Sequence, residues 1–307
     1  SGGMFCLVYG FANAASHSWA TPSTYGFLAA GGVLLAAFAW WMSRAAHPLL
    51  PPRVVLDRNR GGAYVSMLIA SAGLFGIFLF LTYYLQQTLG YSPLVTGVAF
   101  LPISAGLILA ANLSTTVLMP RTGPRPLVAL GMLAAAGGAV WLAQLGPHTA
   151  YATGVLGPII LAGIGVGIVI APVINTGTFG VAPQDAGVAS ATVTVGQQLG
   201  ASIGASLLNT IFAAAVASYL AAHLAAARVI GRPAQTGQAL TGLALAHGYD
   251  TAFWWTAGIF AGGAVIGGAL LRSGPLRPPS TPPPAHAEAT TAQAKADLAF
   301  RRDPGRS

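Results

Sequence analysis

Two adjacent amides, Gln197 and Gln198, interrupt a long apolar run in the stretch GQQLGASIG, residues 196–204. An amide in hydrocarbon that lacks a hydrogen-bond partner costs several kcal/mol. On a helix the surrounding polar residues form a stripe made up of Thr194, Gln198, Ser202, Ser206 and Asn209. This stripe must face another helix or a water-filled cavity. We expect Gln197 and Gln198 to line a substrate cavity, and hydrogen bonding that only joins helices is the alternative.

The glycines of the same stretch, Gly196, Gly200 and Gly204, recur every fourth residue and share a stripe roughly opposite the polar one. Glycine lets a neighbouring backbone approach closely, and close packing rather than hydrophobicity holds helices together in lipid. The spacing therefore predicts a helix that packs through its glycines and turns its amides the other way.

The elements that position these residues are membrane-spanning helices. The chain is 54% hydrophobic and only 7% charged, whereas soluble domains carry about 25% charged residues. Because roughly 20 apolar residues cross a bilayer, we predict seven complete spans, at 25–42, 62–86, 93–118, 127–145, 152–174, 189–217 and 252–271. Residues 4–15 are too few to span. We expect them to end a helix whose beginning is absent, in a fragment or the product of a truncated gene.

The distribution of arginine predicts the orientation. Seven arginines fall in alternate connections or at the last span's end: Arg44, Arg53, Arg58, Arg60, Arg121, Arg125 and Arg272. Only Arg228 and Arg232 lie on the other side, in a segment at 218–250 that we expect to be a loop with at most a short interfacial helix. The positive-inside rule therefore places the C-terminus in the cytoplasm of a multi-pass plasma-membrane protein. The proline-rich segment 273–307 is predicted to be a disordered cytoplasmic tail.

The chemistry that the spans lack narrows the function further. The acidic residues, Asp57, Asp185, Asp250, Glu288, Asp297 and Asp303, are all expected in loops or the tail. The carboxylates of a proton-driven carrier would then have to lie outside this chain. With a single cysteine, no metal-ligand cluster and no nucleophile–base pair, we expect no cofactor, no metal and no enzyme activity. The basic residues form no stripe with interleaved aromatics, so we expect no nucleic-acid partner.

Breaks and ends of the spans supply further candidates. Pro102 and Pro172 each remove a helical hydrogen bond, which suits either a gate or a static kink. Tyr83 and Tyr84 are typical of an interfacial aromatic belt. The amides beside them, Gln86 and Gln87, are expected to rim a cavity mouth.

Four stretches together resemble the C-terminal half of a known transporter family. They are PLLPPRVVLDRNR at 48–60, YYLQQTLGYSPLVTGVAFLPISAG at 83–106, PRTGPRPLVALG at 120–131 and APQDAGVASATVTVGQQLGASIG at 182–204. The resemblance, over about residues 4–272, is to the fourteen-span drug:proton antiporters of the major facilitator superfamily.

The resemblance implies an all-α membrane bundle in three parts. Residues 1–61 would hold a truncated and a complete linker helix with a cytoplasmic loop, 62–272 a six-helix transport domain, and 273–307 the tail. The family binds substrate near the membrane midplane between two six-helix halves. Members export hydrophobic, often cationic compounds in exchange for protons.

Two departures from the family pattern qualify this implication. In PRTGPRP only Arg121, Gly123 and Arg125 of the cytoplasmic loop motif remain, because Thr116 and Pro120 stand at its glycine and aspartate positions. The motif's gating role is therefore not carried over, and the two arginines are left to contact lipid phosphate. Gln197 also replaces an arginine that many relatives carry.

The sequence thus predicts a multidrug or antibiotic exporter that works by alternating access against an N-terminal six-helix half. The side chains expected to line its cavity are Gln86, Asn112, Thr194, Gln197, Gln198 and Ser202. The residues expected to pack helices or gate are Gly196, Gly200, Gly204, Pro102 and Pro172. The alternatives are a half-carrier that transports nothing and acts as a membrane scaffold, and a facilitator for another small solute.

Overall fold

The computed structural model describes residues 2–16, 21–44, 57–146, 149–230, 236–272 and 274, and every regular element in these residues is helical. The α-helices in this part of the chain are α1 Gly2–Ser16, α2 Pro22–Arg44, α3 Arg58–Tyr83, α4 Pro93–Ala99, α5 Leu101–Leu113, α6 Met119–Thr122, α7 Pro124–Leu142, α8 Leu156–Thr178, α9 Ala186–Ile230 and α10 Thr236–Leu270. One-turn π-helices, Tyr84–Thr88, Ser114–Leu118 and Tyr151–Val155, extend α3, join α5 to α6 and precede α8. A 3₁₀ turn, Pro183–Asp185, precedes α9.

Six helical stretches among the described residues are long and apolar enough to cross a membrane. They are Arg58–Thr88, Pro93–Thr122, Pro124–Leu142, Tyr151–Thr178, Ala186–His223 and Leu240–Leu270. The apolar parts of α1 and α2, Gly2–Phe11 and Pro22–Phe38, are shorter. The predicted all-helical membrane bundle is confirmed. The predicted count of seven complete spans is not confirmed, since six such stretches are found among the described residues.

The segment 218–250, predicted as a loop, is helical up to Ile230 and again from Thr236. The segment is rich in alanine, which has the highest helix propensity, so its described residues are helical although they are less apolar than the spans. Asp250 therefore lies inside α10. The expectation that all acidic residues lie in loops or the tail is wrong for this residue.

Helices α3 and α8 form the centre of the bundle, and glycine allows their neighbours to come close. Helix α3 packs on α8, α9 and α10, while α8 also packs between α5 and α7. Gly163 and Gly167 of α8 face backbone carbonyls of α5, and Gly165 on another side faces the backbone of α7. A methyl group on any of these glycines would overlap the facing backbone. The register of these contacts makes α5 and α8 parallel and α7 and α8 antiparallel.

Hydrogen bonds tie the loops at one end of the bundle, here called the tyrosine end and defined by Tyr84, Tyr151 and Tyr249. The Tyr84 hydroxyl donates to the carbonyls of Gly146 and Thr149, and Tyr151 donates to that of Ala99. Tyr84 is 1% exposed. The expectation that it belongs to an interfacial belt is therefore wrong, because its ring is buried and its hydroxyl is used inside the protein.

The opposite end, here called the arginine end, is defined by Arg58, Arg121, Arg125 and Arg272. The Arg58 guanidinium donates to carbonyls in the last turn of α10, at 2.8 Å for Ala269 and 3.2 Å for Leu270. In return the Arg272 N–H donates to the Asn59 side chain at 2.8 Å. These bonds use carbonyls that the end of α10 would otherwise leave unpaired. The predicted tail 273–307, apart from Gly274, and residues 45–56 of the predicted loop lie outside the described residues.

Candidate transport cavity

The glycine stripe of α9 lies against the backbone of α3. Gly196, Gly200 and Gly204 face the carbonyl oxygens of three successive turns, which belong to Tyr64, Leu68 and Ala72. A methyl group at Gly200 or Gly204 would overlap these carbonyls. The residue numbers of the contacting positions increase together along both helices, so α3 and α9 run parallel. One side of α9 is therefore in backbone contact with its neighbour, and the amides lie elsewhere.

The polar stripe of α9 divides into an open part and a covered part. Thr194, Gln197 and Gln198 are exposed, and we call this group the amide face. One to two turns further on, the Ser202 hydroxyl lies 3.5 Å from the Val8 carbonyl of α1, and Ser206 donates to the Phe11 carbonyl of the same helix. Helix α1 thus covers Ser202 and Ser206. The structure does not group Ser202 with the amide face.

Asn112 and Gln86 lie apart from the amide face. Asn112 is exposed near the end of α5 and donates to the Ile108 carbonyl of its own helix at 2.9 Å. It lies 180° round α5 from Ile103, the residue that packs on α8, so it points away from α8. Gln86 is half-buried in the turn after α3, roughly 27 Å further along that helix than Leu68 at 1.5 Å per residue. Gln86 therefore belongs to the tyrosine end.

The two prolines occupy different positions. Pro102 is the second residue of α5, where a helix has no N–H to lose. The regular helix is interrupted just before Pro102, at Phe100, which separates α4 from α5. Pro172 is buried inside α8 and cannot donate to the carbonyl of Ile168 four residues earlier. The hydroxyl of Ser114, from the π-helical turn after α5, donates to that carbonyl at 3.3 Å.

An apolar groove of about 500 Å³ lies between α5 and α8. Ile160, Ile164 and Ile168 line it from α8. Ile168 is 180° round α8 from Gly177, whose carbonyl accepts a hydrogen bond from Tyr64 of α3. The groove therefore opens on the side of α8 away from α3 and α9. It is a separate surface from the amide face, and its lining suits a hydrocarbon chain better than a polar solute.

The loop motif residues lie at the arginine end. Gly123 has φ +78 and links α6 to α7 in a left-handed conformation that favours glycine. Its Cα also approaches Gly274 so closely that a side chain would overlap that backbone. Arg121 and Arg125 are both exposed beside it. The positive φ angle and the close approach to Gly274 both explain why position 123 holds a glycine. The two arginines add positive charge to this end of the bundle.

Sequence reasoning missed Ser114 and the exposed aromatic ring of Phe75. Ser114 matters because of Pro172, since the carbonyl four residues before a proline in a helix needs a hydrogen-bond donor from elsewhere. From the sequence, this rule identifies the Ile168 carbonyl as lacking a donor, but it does not identify Ser114 as the donor. Phe75 is 47% exposed and lies roughly 60° round α3 from Ala72, the residue that faces Gly204. In sequence it is one apolar residue in an apolar span.

The arrangement suits noncovalent binding. Among the described residues no group of three or more His, Cys, Asp or Glu side chains could hold a metal ion. The amide face offers hydrogen-bond donors and acceptors on a helix whose other side is fixed to α3.

A comparison with family models matches residues 2–205 to the Major Facilitator Superfamily. The chain belongs to this superfamily.

Curated relatives in the superfamily carry names of antibiotic resistance and export. The chain is 46% identical over 201 residues to the puromycin resistance protein pur8 of Streptomyces alboniger, covering 65% of this chain and 40% of that protein. It is 35% identical over 199 residues to the cephamycin export protein CmcT of Amycolatopsis lactamdurans, covering 64% and 41%. The chain therefore spans about two fifths of the length of these relatives.

Solved structures of the superfamily share the fold. A bacterial homolog of the human lysosomal transporter Spinster, in an inward-facing and occupied conformation, matches with a TM-score of 0.57 and 18% identity. The match covers 87% of this chain and 66% of that one. At this identity the likeness concerns the fold alone. The chain is thus a multi-pass membrane protein of a transporter family.

Proposed function

We propose that this chain is the C-terminal part of an exporter of small hydrophobic or cationic compounds, such as antibiotics. The observation that carries the proposal is the amide face, exposed on a helix that is fixed to α3 through its glycine stripe, in a superfamily member whose relatives are named for drug resistance and export. Exposed amides on a membrane helix need water, substrate or another helix bundle beside them. A passage between this bundle and a second one would supply water, substrate and neighbouring helices to these amides.

The passage would form between this bundle and an N-terminal six-helix half, and transport would proceed by alternating access of the two halves. Substrate would rest on Thr194, Gln197 and Gln198 through hydrogen bonds and on Phe75 through its ring. Such a surface suits molecules that are largely apolar and carry a few polar groups. Asn112 faces away from α8 and would meet the other half, whereas Gln86 would lie at the opposite end of the passage.

Proton coupling and orientation complete the proposal. The amide-face side chains are not ionisable, so we place the coupling carboxylate in the N-terminal half. The arginine end would face the cytoplasm under the positive-inside rule, with Arg121 and Arg125 near lipid phosphate. The protein would then act in the plasma membrane with a cytoplasmic C-terminus.

Replacement of one amide tests the proposal in the intact transporter. Gln198→Trp should reduce export of a fluorescent substrate such as ethidium from energised cells, because the indole fills the passage and removes the amide. Gln144→Trp is the matched control, since Gln144 is also exposed but lies in the turn after α7. Membrane insertion of both variants is measured by quantitative immunoblot. Normal ethidium export by a fully inserted Gln198→Trp protein would contradict the proposal.

The alternative of a non-transporting half-carrier gives a different result. In that case no substrate would be exported by the parent protein, with or without an N-terminal half expressed beside it. Export by the parent that is lost only in Gln198→Trp therefore separates the two functions.

A further inference from the structure

Two histidines flank one tyrosine where α9 and α10 extend past the tyrosine end. The imidazole of His223 stacks on the ring of Tyr219 with centroids 4.0 Å apart and planes 18° apart. The imidazole of His247, from α10, lies 5.2 Å from the same ring at 35°. Tyr219 is half-buried and both histidines are exposed. The ring of Tyr219 is thus shared between an imidazole of its own helix and one of the neighbouring helix.

A carboxylate stands beside this group. Asp250 is half-buried on α10, three residues after His247, and interacts with the His247 imidazole and the Trp254 indole. Residues three apart on a helix are neighbours on its surface. Among the described residues, the phenols Tyr83, Tyr84 and Tyr249 also lie near this group. Asp250 is therefore the acidic partner of His247 in this part of the chain.

The two histidines differ in what their protonation would do. Imidazole is the side chain whose charge changes between pH 5 and 8. A charged His247 is attracted to the electron-rich face of Tyr219 on the other helix, and this interaction joins α10 to α9. A charged His223 already has the Tyr219 ring within its own helix, so its main effect across the contact is repulsion of charged His247.

We propose that Tyr219 and His247 form a pH-dependent contact that holds the extensions of α9 and α10 together more tightly at acidic than at neutral pH. Tyr219 converts positive charge on His247 into attraction between the helices. Under the orientation proposed above, the contact lies on the outer side of the membrane, which is the acidic side of a gradient that drives protons inward. The contact itself does not depend on transport.

Distance measurements test the contact directly. Cys6 is the single cysteine, so Cys6→Ser gives a background in which Ala222→Cys and Leu243→Cys carry spin labels at exposed positions on α9 and α10. Pulsed electron resonance on the full chain in lipid nanodiscs at pH 8 and pH 5.5 gives the distance distribution. The population with the shorter distance should rise about two- to fivefold at pH 5.5, the range of an exposed cation–π contact.

Four variants make the outcome specific. His247→Gln and Tyr219→Leu should abolish the pH response, whereas Tyr219→Phe, which keeps an aromatic ring, should retain it. His223→Gln should retain or increase the response because the repelling charge is gone. Equal distributions at both pH values in the parent, or a full response in His247→Gln, would overturn the proposal. Transport is assayed separately, so a failure of the proposed function and a failure of this contact are distinguishable.

Discussion

The glycines of α9 show how a single missing methyl group sets the distance between two helices. Gly200 faces the Leu68 carbonyl so closely that any side chain would displace α9 from α3. Its neighbours Gly196 and Gly204 face the same helix one turn away in each direction. Dispersion between closely packed backbones is a main source of helix association in lipid. The stripe therefore fixes the position from which the amide face points outward.

Substitution of Gly200 should test this directly. Gly200→Ala should destabilise the bundle by about 1–3 kcal/mol, because the added methyl group overpacks a backbone contact. Gly258→Ala is the matched control, since Gly258 lies in the interior of α10 with open space around its Cα. That substitution should be neutral or stabilising by up to about 1 kcal/mol through helix propensity. Thermal unfolding in detergent measures both. Equal melting temperatures for the two variants would show that the stripe does not set the packing.

At the scale of elements, a hydrogen bond joins α8 to the turn after α5 at the point where α8 lacks one of its own backbone hydrogen bonds. Pro172 leaves the Ile168 carbonyl without a donor within α8, and the Ser114 hydroxyl from that turn donates to it at 3.3 Å. Both helices also approach each other through Gly163 and Gly167 of α8. A movement of α8 about Pro172 would therefore have to break or carry along the bond to Ser114.

A double-mutant cycle should reveal this dependence. Ser114→Ala should cost about 1 kcal/mol of stability in the parent, because the partly buried Ile168 carbonyl loses its donor. In a Pro172→Ala background the cost should be smaller, since the alanine introduced there has an N–H that can donate to Ile168 within the helix. Ser104→Ala serves as control, because Ser104 is exposed and its hydroxyl bonds only to Phe100 in the preceding turn. The same Ser114→Ala cost in both backgrounds, measured by thermal unfolding, would contradict the link to the proline.

These elements also show what the sequence could reveal. Apolar runs of bilayer length predicted the six helical stretches that are long and apolar enough to cross a membrane, because hydropathy and length are local properties. The helical extension of α9 to Ile230 was not predicted from the length of apolar runs, since its alanines favour a helix without being strongly apolar. The four-residue glycine spacing predicted a packing stripe but not that α3 would be its partner. The bond between Ser114 and Ile168 joins residues 54 positions apart, so only the fold brings them together.

At the scale of the whole molecule, the bundle presents surfaces that suit different surroundings. The amide face on α9 requires water or polar partners. The groove between α5 and α8 is apolar, and so is the face of α10 that exposes Val265 at 73%. In a membrane the apolar surfaces are compatible with hydrocarbon and the amide face is not. The proposed second bundle would therefore be expected on the side of the amides.

Cysteine accessibility should distinguish a wet passage from a lipid-facing surface. In a background with Cys6→Ser and every cysteine outside this chain replaced by serine, Gln198→Cys and Val265→Cys each place one thiol at a position that is exposed in this chain. Thiols react with maleimides as thiolates, which form in water and not in hydrocarbon. In the intact transporter in membranes, a water-soluble maleimide should label the Gln198→Cys variant readily and the Val265→Cys variant little. Saturating substrate should slow labelling of the Gln198→Cys variant alone, because bound substrate would cover the amide face. Labelling of both variants in detergent-unfolded protein controls for the presence of the thiols. If the Gln198→Cys thiol were as unreactive in the membrane as the Val265→Cys thiol, the amides would face lipid or be sealed between helices, and no passage could run along them.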